Sequence, residues 1–214
     1  MTLRRQTGVT LIELLVTISI AAILMAVAVP GFQDFFRRNR VDNAASDFMA
    51  ALNYARSEAI RRGNPVVIRN TAGGGNWGAG WVMFEDCNNN NIQNNAVCPD
   101  RNGDGNPDNE ETIRQGQPVS SSGQPVSSSV TVDTNFVAYQ NFIRYQPDGR
   151  VGNAGVGGGT FVICYGSNRV NSKAIILIGT GRARWGVDNV PAGGNRIPEG
   201  ENGVDIATTT LCPT

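Results

Sequence analysis

Histidine is missing from all 214 residues. That absence removes imidazole general-base catalysis and the commonest zinc ligand. Net charge is missing too, with 18 lysines and arginines against 18 aspartates and glutamates. No bulk field therefore draws nucleic acid or an anionic membrane, and any such binding must come from a local patch. There is no nucleophile elbow and no phosphate-binding glycine loop, so an enzyme is the weakest reading. Aromatic residues are only 7% of the chain, while glycine (26 residues), asparagine and serine crowd the part after residue 62. This favours loops and short strands over a helical bundle. The length suits one domain, or a small domain plus a membrane segment.

The four cysteines, Cys87, Cys98, Cys164 and Cys212, show no C-x-x-C spacing, which sets aside a redox or zinc motif. An even count behind an export-like N-terminus suggests two disulfides made in an oxidising compartment. Three pairings are open to four cysteines. The expected ones are Cys87–Cys98 and Cys164–Cys212, each closing a loop rich in asparagine or glycine; the alternative is buried free thiols.

What the chain does have is a long apolar run, Val9 to Val29, preceded by Arg4 and Arg5. As a helix it spans about 30 Å, enough for a bilayer core. The leading arginines keep residues 1–8 cytoplasmic and send the C-terminus across. The run passes directly into a helical pattern, as a retained anchor does, rather than ending in a small-residue cleavage site. Its one anomaly is Glu13, a carboxylate costing roughly 2.5–3.5 kcal/mol inside a membrane helix.

From Gly31 the apolar residues Val41, Ala45, Phe48, Met49, Leu52, Ala55, Ala59 and Ile60 recur at three-and-four spacing. They predict one amphipathic helix face that is core, with Arg56, Arg61 and Arg62 off it or at its end and Gly63 as the stop. Strands are predicted over residues 65–69, 80–86, 111–116, 130–135, 141–146, 159–165 and 174–179, punctuated by Gly, Asn, Asp or Pro. Residues 190–210 read as a loop or tail pinned by Cys212. The expected fold class is α+β, a long N-terminal helix packed against antiparallel sheets.

The segment "GVTLIELLVTISIAAILMAVAVP" resembles the signal of type IV pilins and pseudopilins. The resemblance implies cutting by a prepilin peptidase after Gly8 and N-methylation of Val9, where the family's usual residue is phenylalanine. It assigns the family's glutamate to Glu13 and its helix-kinking proline to Pro30. Glu13, fifth after the cut, would then pair with a free N-terminal ammonium, its own or a neighbouring subunit's, on leaving the bilayer. The segment "ALNYARSEAIRRGNPVVI" is similar to the GspH/FimT-type minor pilin domain, through Ala55, Arg56, Ser57, Ala59 and Arg62. Together they imply a leader (1–8), a membrane-spanning half-helix (9–30), an amphipathic half (31–62) and a β-rich periplasmic head (63–214). The chain would be single-pass in the inner membrane, then at a filament tip. The implied partners are other minor and major pilins or pseudopilins, the prepilin peptidase and an inner-membrane assembly platform. Function would be priming a type IV pilus or, alternatively, a type II secretion pseudopilus.

Two polar segments are candidate sites. In "DRNGDGNPDNEE", Asp100, Asn102, Asp104, Asn106, Asp108 and Glu111 take calcium-loop positions 1, 3, 5, 7, 9 and 12, with Gly105 at the sharp turn. Pro107 and the lack of flanking helices make it a stand-alone loop rather than an EF-hand; the alternative is a polar turn. No cofactor is required, and Ca²⁺ is the one candidate. In "GTGRARWG", Arg182 and Arg184 fall on one side of a strand, with Trp185 on the other side or at a turn, a set able to grip phosphates and stack on a base. The Gly-Arg-x-Arg element resembles the one by which DNA-uptake minor pilins touch DNA. The competing reading is an ordinary exposed arginine strand.

Overall fold

The structure is a computed structural model that describes residues 9–94, 96–100, 105–116, 130–134, 136–152, 158–166, 168–186 and 212. It divides into two units, Met1–Asn39 and Arg40–Thr214. One helix, α1 (Leu11–Arg62), contributes to both.

In the first unit the described helical residues are exposed, including Leu11, Ile12, Ile18, Ile23, Leu24 and Met25. A helix apolar on every side and buried by nothing has the length and composition to cross a membrane. Its hydroxyls do not break that character. Thr17 Oγ1 donates to the Leu14 carbonyl (2.8 Å) and Ser19 Oγ to that of Leu15 (2.7 Å). Both are thus satisfied within the helix, as a low-dielectric surrounding demands.

In the second unit, helix residues 40–62 turn one stripe onto the sheets. Val41, Ala45, Phe48, Leu52, Ala55 and Ala59 are buried as the spacing predicts, and Ala44 and Ala51 join them. Ile60 does not: it is 51% exposed, next to fully buried Ala59 in the last turn of the helix. Gly63 ends the helix at φ +68°, its N–H donating to the Ala59 carbonyl at 3.0 Å. That left-handed cap suits glycine.

The strands are β1 (Val66–Asn70), β2 (Trp81–Glu85), β3 (Val97–Cys98), β4 (Asp108–Asn109), β5 (Thr112–Gly116), β6 (Val130–Thr134), β7 (Phe142–Tyr145), β8 (Gly158–Tyr165), β9 (Asn168–Ile178) and β10 (Ala183–Trp185). They form two four-stranded antiparallel sheets, ordered β5-β2-β1-β7 and β10-β9-β8-β6, and a short β3-β4 pair. Alternation along each strand gives both sheets an apolar inner face. Ile68, Met83, Ile143 and Tyr145 from one, and Phe161, Ile163, Ile175 and Leu177 from the other, close one core with the helix stripe. Phe48 centres it, 5.5 Å from the Trp77 ring and 5.2 Å from Phe161, both edge-to-face. Trp77 Nε1 donates to the Tyr139 carbonyl at 3.0 Å, so the buried indole is satisfied.

The seven predicted strands are all present. β9 begins six residues before the predicted 174, because it hairpins tightly from β8, with Tyr165 opposite Asn168. The two-residue β3 and β4 were not predicted; neither is long enough to show alternation. The predicted tail 190–210 lies outside the described residues. Both expected disulfides form, Cys87–Cys98 with Cα atoms 5.3 Å apart and Cys164–Cys212 at 6.0 Å. Cys212 packs with Cys164, Val162 and Ala174 in a second apolar cluster.

Candidate functional site

At the N-terminus, Gly8 lies outside the described residues, while Val9 is 71% exposed. Thr10 precedes the helix, and the Glu13 N–H donates to its Oγ1 at 3.3 Å. Thr10 therefore stands at the N-cap, its hydroxyl satisfying the N–H of Glu13 at the third helical position. The signal T-x-x-E was in the sequence and its capping meaning was missed. Glu13 belongs to the first turn of α1, where a carboxylate is favoured by the helix dipole. Helical backbone runs past Pro30.

The other end of α1 carries a charge knot. Glu58, 6% exposed, accepts from Arg61 Nε (3.1 Å) and Arg62 Nε (2.8 Å). Arg62 Nη1 also reaches Glu85 (3.0 Å) and Glu111 (3.0 Å), and Asn64 Nδ2 reaches the second Glu85 oxygen at 2.7 Å. The hydrogen bond from Arg61, opposed by burial and reinforced by Arg62, holds the Glu58 carboxyl down to about 2. Every charge here is paired, so the knot fixes the helix end to β2 rather than offering a reactive group. Potential ligand atoms of Glu85, Cys87 and Cys98 lie within 4.8 Å of one another. Yet the two sulfurs are bonded to each other and the Glu85 oxygens are taken by Arg62 and Asn64, so these residues do not suit a metal.

Of the calcium-loop candidates, Asn102 and Asp104 lie outside the described residues. Gly105 has φ +84° and its N–H donates to Asp100 Oδ2 at 2.8 Å. Gly105 thus has the left-handed backbone that a sharp turn at the sixth position asks for. Asn106 is exposed, Asp108 lies in β4, and Glu111 is engaged by Arg62. Beside this segment the Cys87–Cys98 loop is organised by two buried carboxylates. Asp86 accepts from the N–H groups of Asn90 (3.0 Å) and Asn91 (3.1 Å), and Glu110 from those of Cys87 (3.2 Å) and Asn94 (3.0 Å). The Asn-rich composition predicted a loop; nothing in it announced that carboxylates at both ends would hold it.

The arginine element forms a turn and an edge strand. Arg182 precedes β10, its carbonyl accepting from the Ile178 N–H at 3.0 Å, and Arg184 and Trp185 lie in β10 opposite Ile176 and Ile175. Arg182 is therefore a turn residue, not a strand residue as its spacing suggested. Both arginines are exposed, and Trp185 is 43% exposed. Neither arginine side chain has a hydrogen-bond or ion-pair partner among the described residues. The turn is held from behind. Gly181, at φ +82°, backs onto the Gly149 carbonyl, leaving no room for a side chain. That carbonyl accepts from Arg56 Nε at 2.9 Å. Arg56 was read as lying off the helix stripe; it is half-buried and reaches across to this turn.

Two family models match the chain. One, type II transport protein GspH, covers residues 44–181, more than half of it, and the other, the prokaryotic N-terminal methylation motif, covers residues 3–29. Two fimbrial proteins of Pseudomonas aeruginosa are each 40% identical over 65 residues, which is 30% of this chain and 42% of theirs. The chain thus matches less than half the length of those relatives. The crystal structure of the type IV minor pilin FimU of Pseudomonas aeruginosa (strain PAO1) is similar in fold, with a TM-score of 0.51 at 16% identity. That likeness covers 75% of this chain and 98% of the other.

Proposed function

We propose a filament-subunit function from the premise that the chain belongs to the GspH family and carries the prokaryotic N-terminal methylation motif ahead of it. It is a minor pilin or pseudopilin, structural rather than catalytic. In this reading a prepilin peptidase cuts after Gly8, Val9 is methylated, and the chain waits in the inner membrane with its head in the periplasm. It then joins other pilins through an assembly platform at the tip of a type IV pilus and initiates assembly there. The observation that carries the reading is the order of parts. A membrane-length apolar helix with the methylation motif continues into a helix that nucleates an antiparallel sheet head. What favours a pilus over a type II secretion pseudopilus is the 40% identity over 65 residues with two fimbrial proteins. The test is a deletion strain scored for surface pili, twitching and secretion together. Loss of pili and twitching with secretion intact is expected. Lost secretion with normal pili assigns the chain to the pseudopilus instead.

Exposed Arg182 in the turn, with Arg184 and Trp185 in the edge strand that follows it, supports a second role in capturing DNA for uptake. Two arginines bind phosphates weakly and with strong salt dependence. The detergent-solubilised full chain is expected to shift DNA at low salt, and Arg182→Ala/Arg184→Ala to abolish the shift. A double variant that shifts DNA as well as the parent removes this role.

A further inference from the structure

We propose that Phe32, Phe35, Phe36 and Arg38 form an interfacial anchor that binds the anionic phospholipid headgroups at the exported end of the membrane helix. The inference rests on the membrane-anchor reading above. It starts from an apolar surface that no described residue buries: the three rings are 61%, 59% and 58% exposed. Their spacing, i, i+3 and i+4, places them on one helix face, and Phe35 and Phe36 meet edge-on with centroids 5.8 Å apart. At 1.5 Å per residue, Phe32 stands about 3 Å and Arg38 about 12 Å beyond Pro30. The headgroup layer on each side of a bilayer is about 5–8 Å thick. Phe32 therefore lies at the depth where aromatic side chains settle, Phe35 and Phe36 near the outer edge of that layer, and Arg38 about 4 Å past it, from where its long side chain can reach back to the phosphates.

Charge points to the same partner. Arg37, Arg38 and Arg40 follow the span, where positive residues oppose the orientation set by Arg4 and Arg5. An anionic surface at their level offsets that conflict by about a factor of five per unpaired arginine. Arg37 is paired with Asp34 at 3.5 Å, whereas Arg38 is exposed with no ion-pair partner among the described residues. The alternative occupant, a neighbouring subunit's helix, fits less well. Close helix seams use small residues, which this helix holds earlier, at Ala21, Ala22, Ala26 and Ala28. Residues 32–38 instead interleave large rings with charges.

The experiment uses the full chain with photoreactive benzoylphenylalanine in place of Phe35, in vesicles of equal parts phosphatidylglycerol and phosphatidylcholine. Adducts are identified by mass after irradiation. The expected result is lipid adducts in which phosphatidylglycerol exceeds phosphatidylcholine at least about fivefold, falling about fivefold towards parity in Arg38→Gln. Parity in the parent chain, or adducts mainly to a second protein chain, overturns the anchor. A control probe replacing Ile20 keeps the two readings apart. Lipid adducts there without headgroup preference at Phe35 refute the anchor alone. Absence of lipid adducts at both positions refutes the membrane-anchor reading and the proposal with it.

Discussion

Arg56 and Gly149 are joined by a 2.9 Å hydrogen bond from the guanidinium Nε to the carbonyl oxygen, and that carbonyl forms the wall against which Gly181 turns. Through Gly149, ninety-three residues from Arg56 in sequence, the helix thereby sets the position of the exposed arginine turn. Gly181→Ala places a methyl group on backbone at a φ of +82°. It should cost about 2 kcal/mol or more in stability, since strain and displacement add. Arg56→Ala should cost about 1.5–3 kcal/mol by leaving a charge-assisted bond unmade. Thermal unfolding followed by tryptophan fluorescence measures both; a Gly181→Ala protein as stable as the parent shows the turn is looser than its backbone implies.

Glu58 predicts an acid limb to stability. Its carboxyl ordinarily titrates near 4.5 and is held to about 2 in the folded chain, chiefly by Arg61. A depressed folded value means the stabilisation is complete above about 4.5 and disappears as pH falls through about 2. Glu58→Gln should therefore unfold more easily than the parent at pH 7, and the gap should narrow steadily from pH 4.5 downward. A gap independent of pH over that range would show that packing, not charge, makes Glu58 matter.

How far these features could be read beforehand depends on how local their causes are. The helix stripe, the seven longer strands and both disulfide pairings were legible, because periodicity and loop composition act over a few residues. The spacing sets Arg56 only off the apolar stripe, because a helix pattern cannot say what a distant turn brings to its edge. Ile60 differs from its expected place for a related reason: spacing alone does not say which residues of the last turn the head covers. The exposed character of Arg182, Arg184 and Trp185 was foreseen, but the turn holding Arg182 comes from Gly149, far away in the chain. Asp86 and Glu110 look like ordinary loop acids until folding brings four backbone amides to them.

The two disulfides should differ in worth. Cys164–Cys212 closes a separation of 48 residues and Cys87–Cys98 one of 11. Loop entropy in the unfolded chain then gives about 4 kcal/mol for the first and about 3 for the second. Paired serine replacements, Cys164→Ser/Cys212→Ser against Cys87→Ser/Cys98→Ser, should lower the unfolding midpoint in that order. The reverse order would show that the carboxylate-held loop depends on its disulfide for more than chain entropy.

Calcium is proposed for the loop of Asp100, Asn102, Asp104, Asn106, Asp108 and Glu111. The turn at Gly105 is already bent as such a loop requires, and Glu111 would exchange Arg62 for the ion. Because a ligand bound only by the folded state stabilises it, Ca²⁺ at a hundred times its dissociation constant should add about 2.7 kcal/mol. Asp104→Ala should abolish the gain. An unchanged melting temperature in millimolar Ca²⁺ leaves the segment a polar turn.

The last prediction concerns Glu13. In the uncut chain its N–H meets the Thr10 hydroxyl in the first turn of the helix, a capping contact that belongs to the backbone and survives truncation of its side chain. Any defect in Glu13→Ala therefore reports the carboxylate itself. In the membrane that carboxylate would cost roughly 2.5–3.5 kcal/mol; beside the ammonium that the proposed cut after Gly8 would free, it would become one half of an ion pair. Glu13→Ala should be processed at the parent's rate and accumulate in the membrane, yet enter filaments poorly, as blots of membrane and sheared-filament fractions would show. Thr10→Ala, which removes the cap and keeps the charge, should assemble far better than Glu13→Ala. Equal incorporation of Glu13→Ala and parent would mean the charge is retained for the helix terminus and not for assembly.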